Sequence, residues 1–169
     1  MRRLALILLV TVAVVPAAAL AARTATGDGA FELRQVNGVV VLSGKGVVWG
    51  QMDHGSLRVT NLSPFSGPQP LVSGAERKLT TDDPDVVVYT GADLHFRMTG
   101  GKYRFRFRGT GIDLTAVGAG SADLTGLPDL AGDTGDYALN GGDWTPVPAF
   151  IDRVVQFPSS PPAVPGTTP

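Results

Sequence analysis

Two stretches of this 169-residue chain, 65 positions apart, carry nearly the same pattern, and no other feature constrains the fold as tightly. Residues 44–62 read GKGVVWGQMDHGSLRVTNL and residues 109–127 read GTGIDLTAVGAGSADLTGL. Without a gap, Gly44, Gly46, Gly55, Ser56, Thr60 and Leu62 recur as Gly109, Gly111, Gly120, Ser121, Thr125 and Leu127. Val47, Trp49, Met52, Leu57 and Val59 fall on Ile112, Leu114, Val117, Ala122 and Leu124, so the apolar phase repeats as well. Self-similarity at a fixed period points to a duplicated unit. The alignment of Trp49 with Leu114 places that indole in the core.

Helical spacing is absent beyond the N-terminal region, and apolar residues alternate with polar ones instead. Phe31 and Leu33 alternate with Glu32 and Arg34; Leu94, Phe96 and Met98 with Asp93, His95 and Arg97; Tyr103, Phe105 and Phe107 with Lys102, Arg104, Arg106 and Arg108. This is the period of half-buried strands. Asn37-Gly38 tolerates the positive φ of a type I′ turn and reads as a hairpin, as does Gly100-Gly101. Gly44-Lys45-Gly46, Gly109-Thr110-Gly111, Asp53-His54-Gly55 and Gly118-Ala119-Gly120 read as further turns. Residues 137–144, YALNGGDW, read as a small hairpin in which Trp144 packs against Tyr137, the alternative being an exposed ring able to stack on carbohydrate.

The expected fold is all-β. About eight to ten short antiparallel strands form a sandwich or closed barrel from two tandem four-stranded repeats, 30–62 and 92–127. Each is a meander whose apolar face covers the other. The alternative is a β-solenoid, in which the nine-residue glycine spacing marks corners.

The N-terminus reads as an export signal. Arg2 and Arg3 precede an apolar run from Leu4 to Val15, and Ala19-Leu20-Ala21 fits a cleavage site, giving a signal peptide over 1–21. The alternative is an uncleaved anchor, since residues 4–22 carry no charge and approach the ~20 apolar residues of a membrane span. A linker over 22–29 precedes one β domain over 30–157, and the Pro-rich segment 158–169 reads as a disordered tail. A domain of about 150 residues buries roughly 68–70% of its unfolded surface, so it needs no disulfide, and the chain has no cysteine.

Without Arg2 and Arg3 the chain has 12 basic and 15 acidic residues, so polyanion binding requires a local patch rather than overall charge. Lys102–Arg108 supplies one: KYRFRFR sends four cations to one face of a strand and three aromatics to the other. With Gly100-Gly101 as a hairpin, Arg97 lies opposite Arg104, His95 opposite Arg106, and Asp93 opposite Arg108. Like charges across a ladder are unfavourable, and guanidinium groups suit bidentate contacts to phosphate or carboxylate. The candidate binding set is therefore His95, Arg97, Lys102, Arg104, Arg106 and Arg108. The competing reading is a solvated face partly neutralised by Asp93 and Asp113. Nucleic acid is disfavoured because the aromatics point inward, away from any base.

No catalytic set is visible. Asp53-His54 sits in a turn and its side chains point apart. Two histidines and no cysteine are too few for the usual zinc ligands. Asp82, Asp83 and Asp85, and likewise Asp129, Asp133 and Asp136, lack the spacing of a calcium loop. No cofactor or metal is expected. A membrane β-barrel is disfavoured because outward arginines would face lipid.

The strings GKGVVWGQMDHGSLRVTNL, DLHFRMTGGKYRFRFRGTGIDLTAVGAG and YALNGGDW together resemble a group of small secreted proteins of high-GC bacteria. The resemblance covers most of 30–146 and implies export and an all-β fold, but no site. The expected function is that of a secreted, monomeric, non-enzymatic envelope protein, binding or structural, whose basic face meets an anionic wall polymer or an envelope protein. The alternative is an envelope polysaccharide hydrolase working through loop aspartates.

Overall fold

Glycines bend the first strand repeatedly without ending it. β1 runs unbroken over Gly29–Asn61, passing Gly38, Gly46 and Gly55, each with a φ between 129° and 146°. The structure, a computed structural model, describes residues 29–63 and 68–158; the expected signal peptide and tail lie outside the described residues, apart from Pro158. Two short strands follow, β2 (Leu71–Ser73) and β3 (Arg77–Thr80), then β4 (Val86–Met98) and the long β5 (Lys102–Gly126). β6 (Asp136–Leu139), β7 (Thr145–Pro146) and β8 (Arg153–Phe157) complete the molecule. All named pairings are antiparallel, and no helix forms among the described residues.

β1 and β5 pair in two registers seventeen residues apart: Gly38 lies opposite both Gly109 and Gly126. The middle of β1 therefore has β5 on both of its edges. Following these ladders gives two layers. Layer A contains, in order, β3, 86–92, 54–61, 102–110, 38–45, 119–126 and β8. Layer B contains β2, 94–98, 46–52, 111–118, 29–36 and β6, with β7 at its edge. Each long strand passes from one layer to the other at a glycine, as corners are made in bent β-sandwiches.

The corner glycines stack across strands. Gly91, Gly55, Gly109, Gly38 and Gly126 follow one another along one corner, and Gly46, Gly118 and Gly29 along another. The sheet does not close into a barrel; it is a sandwich with free edges. Strand number and direction agree with the sequence expectation, but β1 and β5 are long. Asn37-Gly38 is no hairpin: the chain continues, and the Asn37 side-chain oxygen instead accepts the Gly111 N–H at 3.1 Å. Nor do the related stretches form separate meanders. They pair with each other, Gly44 opposite Gly120 and Gly55 opposite Gly109.

Between the layers lies one core. Phe96 of layer B meets Phe107 of layer A at a ring-centroid distance of 4.8 Å and Phe105 at 6.2 Å, the latter edge-on. Phe31 and Phe157 stack at 5.5 Å. Such offset and edge contacts add to simple burial.

Tyr103 is the awkward member of this core. It is fully buried and stacked on Phe105, and its hydroxyl has no hydrogen-bond partner among the described residues. Burial pushes its phenol up to about 12, from 10.0. Because the folded state holds this proton more tightly than the unfolded chain, its contribution is complete below pH 10 and lost as pH rises toward about 12. Tyr103→Phe should stabilise the protein by about 1 kcal/mol at pH 7, by removing an unsatisfied buried hydroxyl. The advantage of Tyr103→Phe should widen by about 2–3 kcal/mol in alkali. Urea titrations of both proteins at neutral and alkaline pH measure each term.

Candidate polyanion-binding face

Residues 102–109 form the central strand of layer A. Tyr103, Phe105 and Phe107 are at most 1% exposed, so alternation turns Lys102, Arg104, Arg106 and Arg108 to the outer surface. Successive outward residues lie roughly 6–7 Å apart along a strand, so the four cations span about 20 Å.

Their cross-strand neighbours come from β1 on both sides. Arg106 lies opposite Arg58 and Val41, Arg104 opposite Thr60 and Ser43, and Arg108 opposite Ser56 and Val39. Lys102 faces Lys45. Two like-charge pairs thus sit directly across ladders, where repulsion is strongest. The ion pairs of the described residues are Arg34–Asp136 at 3.0 Å and His95–Asp93 at 3.1 Å, and neither belongs to this stripe. Asp123, opposite Val41, is two strands from Arg106, roughly 10 Å away at the usual strand spacing.

His95 and Arg97 do not join the other four. The chain crosses from layer B to layer A through Thr99–Gly101, so β4 pairs with β1 and not with β5. Arg97 faces Trp49, and His95 faces Gln51, on the opposite side of the sandwich. The expected ladder of Arg97 with Arg104 and His95 with Arg106 is therefore absent. So is the expected neutralisation: Asp93 holds His95, and Asp113 holds Gln35 and Gln51, all in layer B.

Arg58 and Lys45 are the members that sequence reasoning missed. The run Leu57-Arg58-Val59 already marks Arg58 as outward. Its position beside Arg106 depends on the second register of β1 with β5, which no local pattern encodes.

The remaining candidates are absorbed by local structure. Asp129 Oδ1 accepts the N–H groups of Ala131 at 2.8 Å and Asp133 at 2.9 Å, and Asp133 Oδ1 that of Gly135 at 2.8 Å. Asp83 Oδ1 accepts the Asp85 N–H at 3.0 Å. These are turn-forming side-chain bonds. Asp53-His54 lies in the bend before Gly55, within β1. Among the described residues no three His, Cys, Asp or Glu side chains gather as metal ligands would.

Of the two tryptophans, Trp144 takes the exposed alternative and Trp49 departs from expectation. Trp144 is 41% exposed and covered by the Arg34 guanidinium, 4.5 Å from the ring centroid. Trp49 is half-buried on the outer face of layer B, not in the core. Inward residues are even-numbered from Val36 to Met52 and odd from Leu57, whereas in β5 they turn from odd to even at Gly109–Gly111. The change of phase thus falls at different glycines in the two stretches. A one-residue bulge reverses every side chain beyond it, so outward Trp49 aligns with inward Leu114.

No protein-family model, curated protein or solved structure matches this chain.

Proposed function

We propose that this is a monomeric, non-enzymatic binding protein of the cell envelope that recognises an anionic polymer through the outer face of layer A. One observation carries the reading: six outward cations, Lys45, Arg58, Lys102, Arg104, Arg106 and Arg108, have no acidic partner within salt-bridge distance among the described residues. An anion laid along the stripe relieves repulsion that the fold leaves uncompensated, and guanidinium forks fit phosphate and carboxylate alike. The charged start and apolar run of residues 2–15, read as an export leader over 1–21, support an extracytoplasmic location. Val39 and Val41 border the stripe and give a polymer backbone an apolar surface to lie on.

Sedimentation with cell-wall material, and titration with soluble polyglycerol phosphate and polygalacturonate, tests this reading and separates phosphate from carboxylate preference. Retention should fall with added salt, as exposed charge pairs are screened. The triple variant Arg58→Ala, Arg104→Ala, Arg106→Ala should bind at least about tenfold more weakly, equivalent to about 1.4 kcal/mol. Arg97→Ala, on the other face, should leave the affinity for either soluble polyanion unchanged. Equal affinity of the wild type and the triple variant for both soluble polyanions rejects the assignment.

A further inference from the structure

The outer face of layer B is built from different chemistry. Trp49 stands at its middle, with Arg97 directly opposite on one side and Thr115 on the other. The next row holds His95, Gln51 and Asp113 in register. These six side chains line an open depression of about 450 Å³ whose floor is formed by Leu33, Gly50, Phe96 and Leu114. That size is within the range of small-ligand sites.

Several features define what fits. The described residues place no cation over the Trp49 ring, in contrast to Trp144 under Arg34 and Tyr89 under Lys78. Asp113 is fixed in place: Oδ1 accepts the Gln35 N–H at 2.8 Å, and Oδ2 accepts Gln35 Nε2 at 2.8 Å and Gln51 Nε2 at 3.4 Å. A carboxylate offers about four acceptor positions, so capacity remains for a donor from outside. Arg97 makes no ion pair among the described residues, and its donors are available. Charge in the depression is balanced, Arg97 against Asp113, with His95 already held by Asp93.

A flat aromatic surface ringed by planar donors and acceptors of both kinds, with no excess charge, matches a hydroxylated ring with one apolar face. We infer that the Trp49 depression is a carbohydrate subsite for a neutral pyranose oligosaccharide. The C–H face of the sugar stacks on the indole. Arg97 donates to ring hydroxyls on one side, and Asp113 accepts from hydroxyls on the other, with Gln51 beside it. Because Gln35 and Gln51 orient Asp113 before any ligand arrives, little ordering accompanies binding. Charge balance separates this face from the basic stripe of layer A, so the two surfaces select different ligands.

The test uses cellohexaose, mannohexaose, xylohexaose, maltohexaose and chitohexaose as probes, followed by intrinsic fluorescence and calorimetry. At least one is expected to bind with a Kd of about 0.1–1 mM, typical of a small open site. Trp49→Ala should abolish binding, and Arg97→Ala should weaken it about tenfold. Trp144→Phe should keep both the affinity and the fluorescence response, assigning the signal to Trp49. The triple arginine variant of layer A should bind sugar like the wild type. Trp49 is half-buried on the outer face, so Trp49→Ala should melt a few degrees below the wild type but with one cooperative transition well above the assay temperature, which excludes unfolding as the cause. Failure of all five sugars to bind, or binding that survives Trp49→Ala, overturns the inference.

Discussion

Gly118→Ala should destabilise the protein by about 3–5 kcal/mol, combining backbone strain with a steric clash that neither strand can relieve. Gly118 has a φ of +146°, and a Cβ there would lie 2.1 Å from the Lys45 carbonyl oxygen and 3.0 Å from the Gly46 Cα. Both neighbours are backbone of a paired strand, so rotamer change offers no escape. The reciprocal Gly46→Ala meets the Val117 carbonyl at 2.1 Å and the Gly118 Cα at 3.0 Å. Gly132 provides the control, with a φ of +86° and nothing within 4 Å of the position a methyl group would take. Gly132→Ala should therefore cost only about 1 kcal/mol, the penalty of a left-handed conformation. Urea unfolding of the three variants makes the comparison; similar midpoints for Gly118→Ala and Gly132→Ala would show that the corners do not depend on close backbone approach.

Phe96→Ala should cost about 3–5 kcal/mol through the cavity left between the layers. Its ring lies against Phe107 and Phe105, which belong to a strand that never pairs with its own. The ring also fills the place a side chain would take at Gly50: a Cβ there would stand 2.8 Å from Phe96 Cζ. Phe96 thus joins the layers at their middle, and neighbouring strands cannot collapse into the gap without moving Gly50. Leu71→Ala, at a residue 67% exposed, should stay within about 0.5 kcal/mol of the wild type. Chemical denaturation distinguishes the two.

Strand chemistry was legible because alternation is local: Phe31, Leu33, Tyr103, Phe105 and Phe107 are buried where the period-2 pattern places them. Turn chemistry was misleading for a physical reason. Asn-Gly and Gly-x-Gly permit positive φ, but a positive φ can bend a strand into a second layer as well as reverse it. Only long-range pairing decides between these outcomes, and at Gly38 it supplies β5 on both edges. The sandwich reading therefore holds, and the solenoid reading does not, although glycines do mark the corners.

The site was legible to the same extent. Outward Arg104, Arg106 and Arg108 follow from Tyr103, Phe105 and Phe107 by alternation alone. Arg97 and His95 were misplaced because Thr99–Gly101 crosses between layers, so the register assumed across it never forms. Trp49 was misplaced by an ungapped alignment that could not register a bulge shifted from one glycine to the next.

Interwinding has a consequence for biosynthesis. A ribosome delivers β1 first, yet the residues it pairs with in β5 follow 42 to 89 positions later, from Asn61 with Tyr103 to Gly29 with Gly118. Until then the one long ladder open to this 33-residue segment is β4 against Val48–Thr60, and the edges of residues 29–47 stay unsatisfied. Unpaired edges are templates for intermolecular association, and distant pairings close slowly. The β1–β5 ladders are therefore complete only once residue 126 has been made, and shielding β1 in the interval should protect yield.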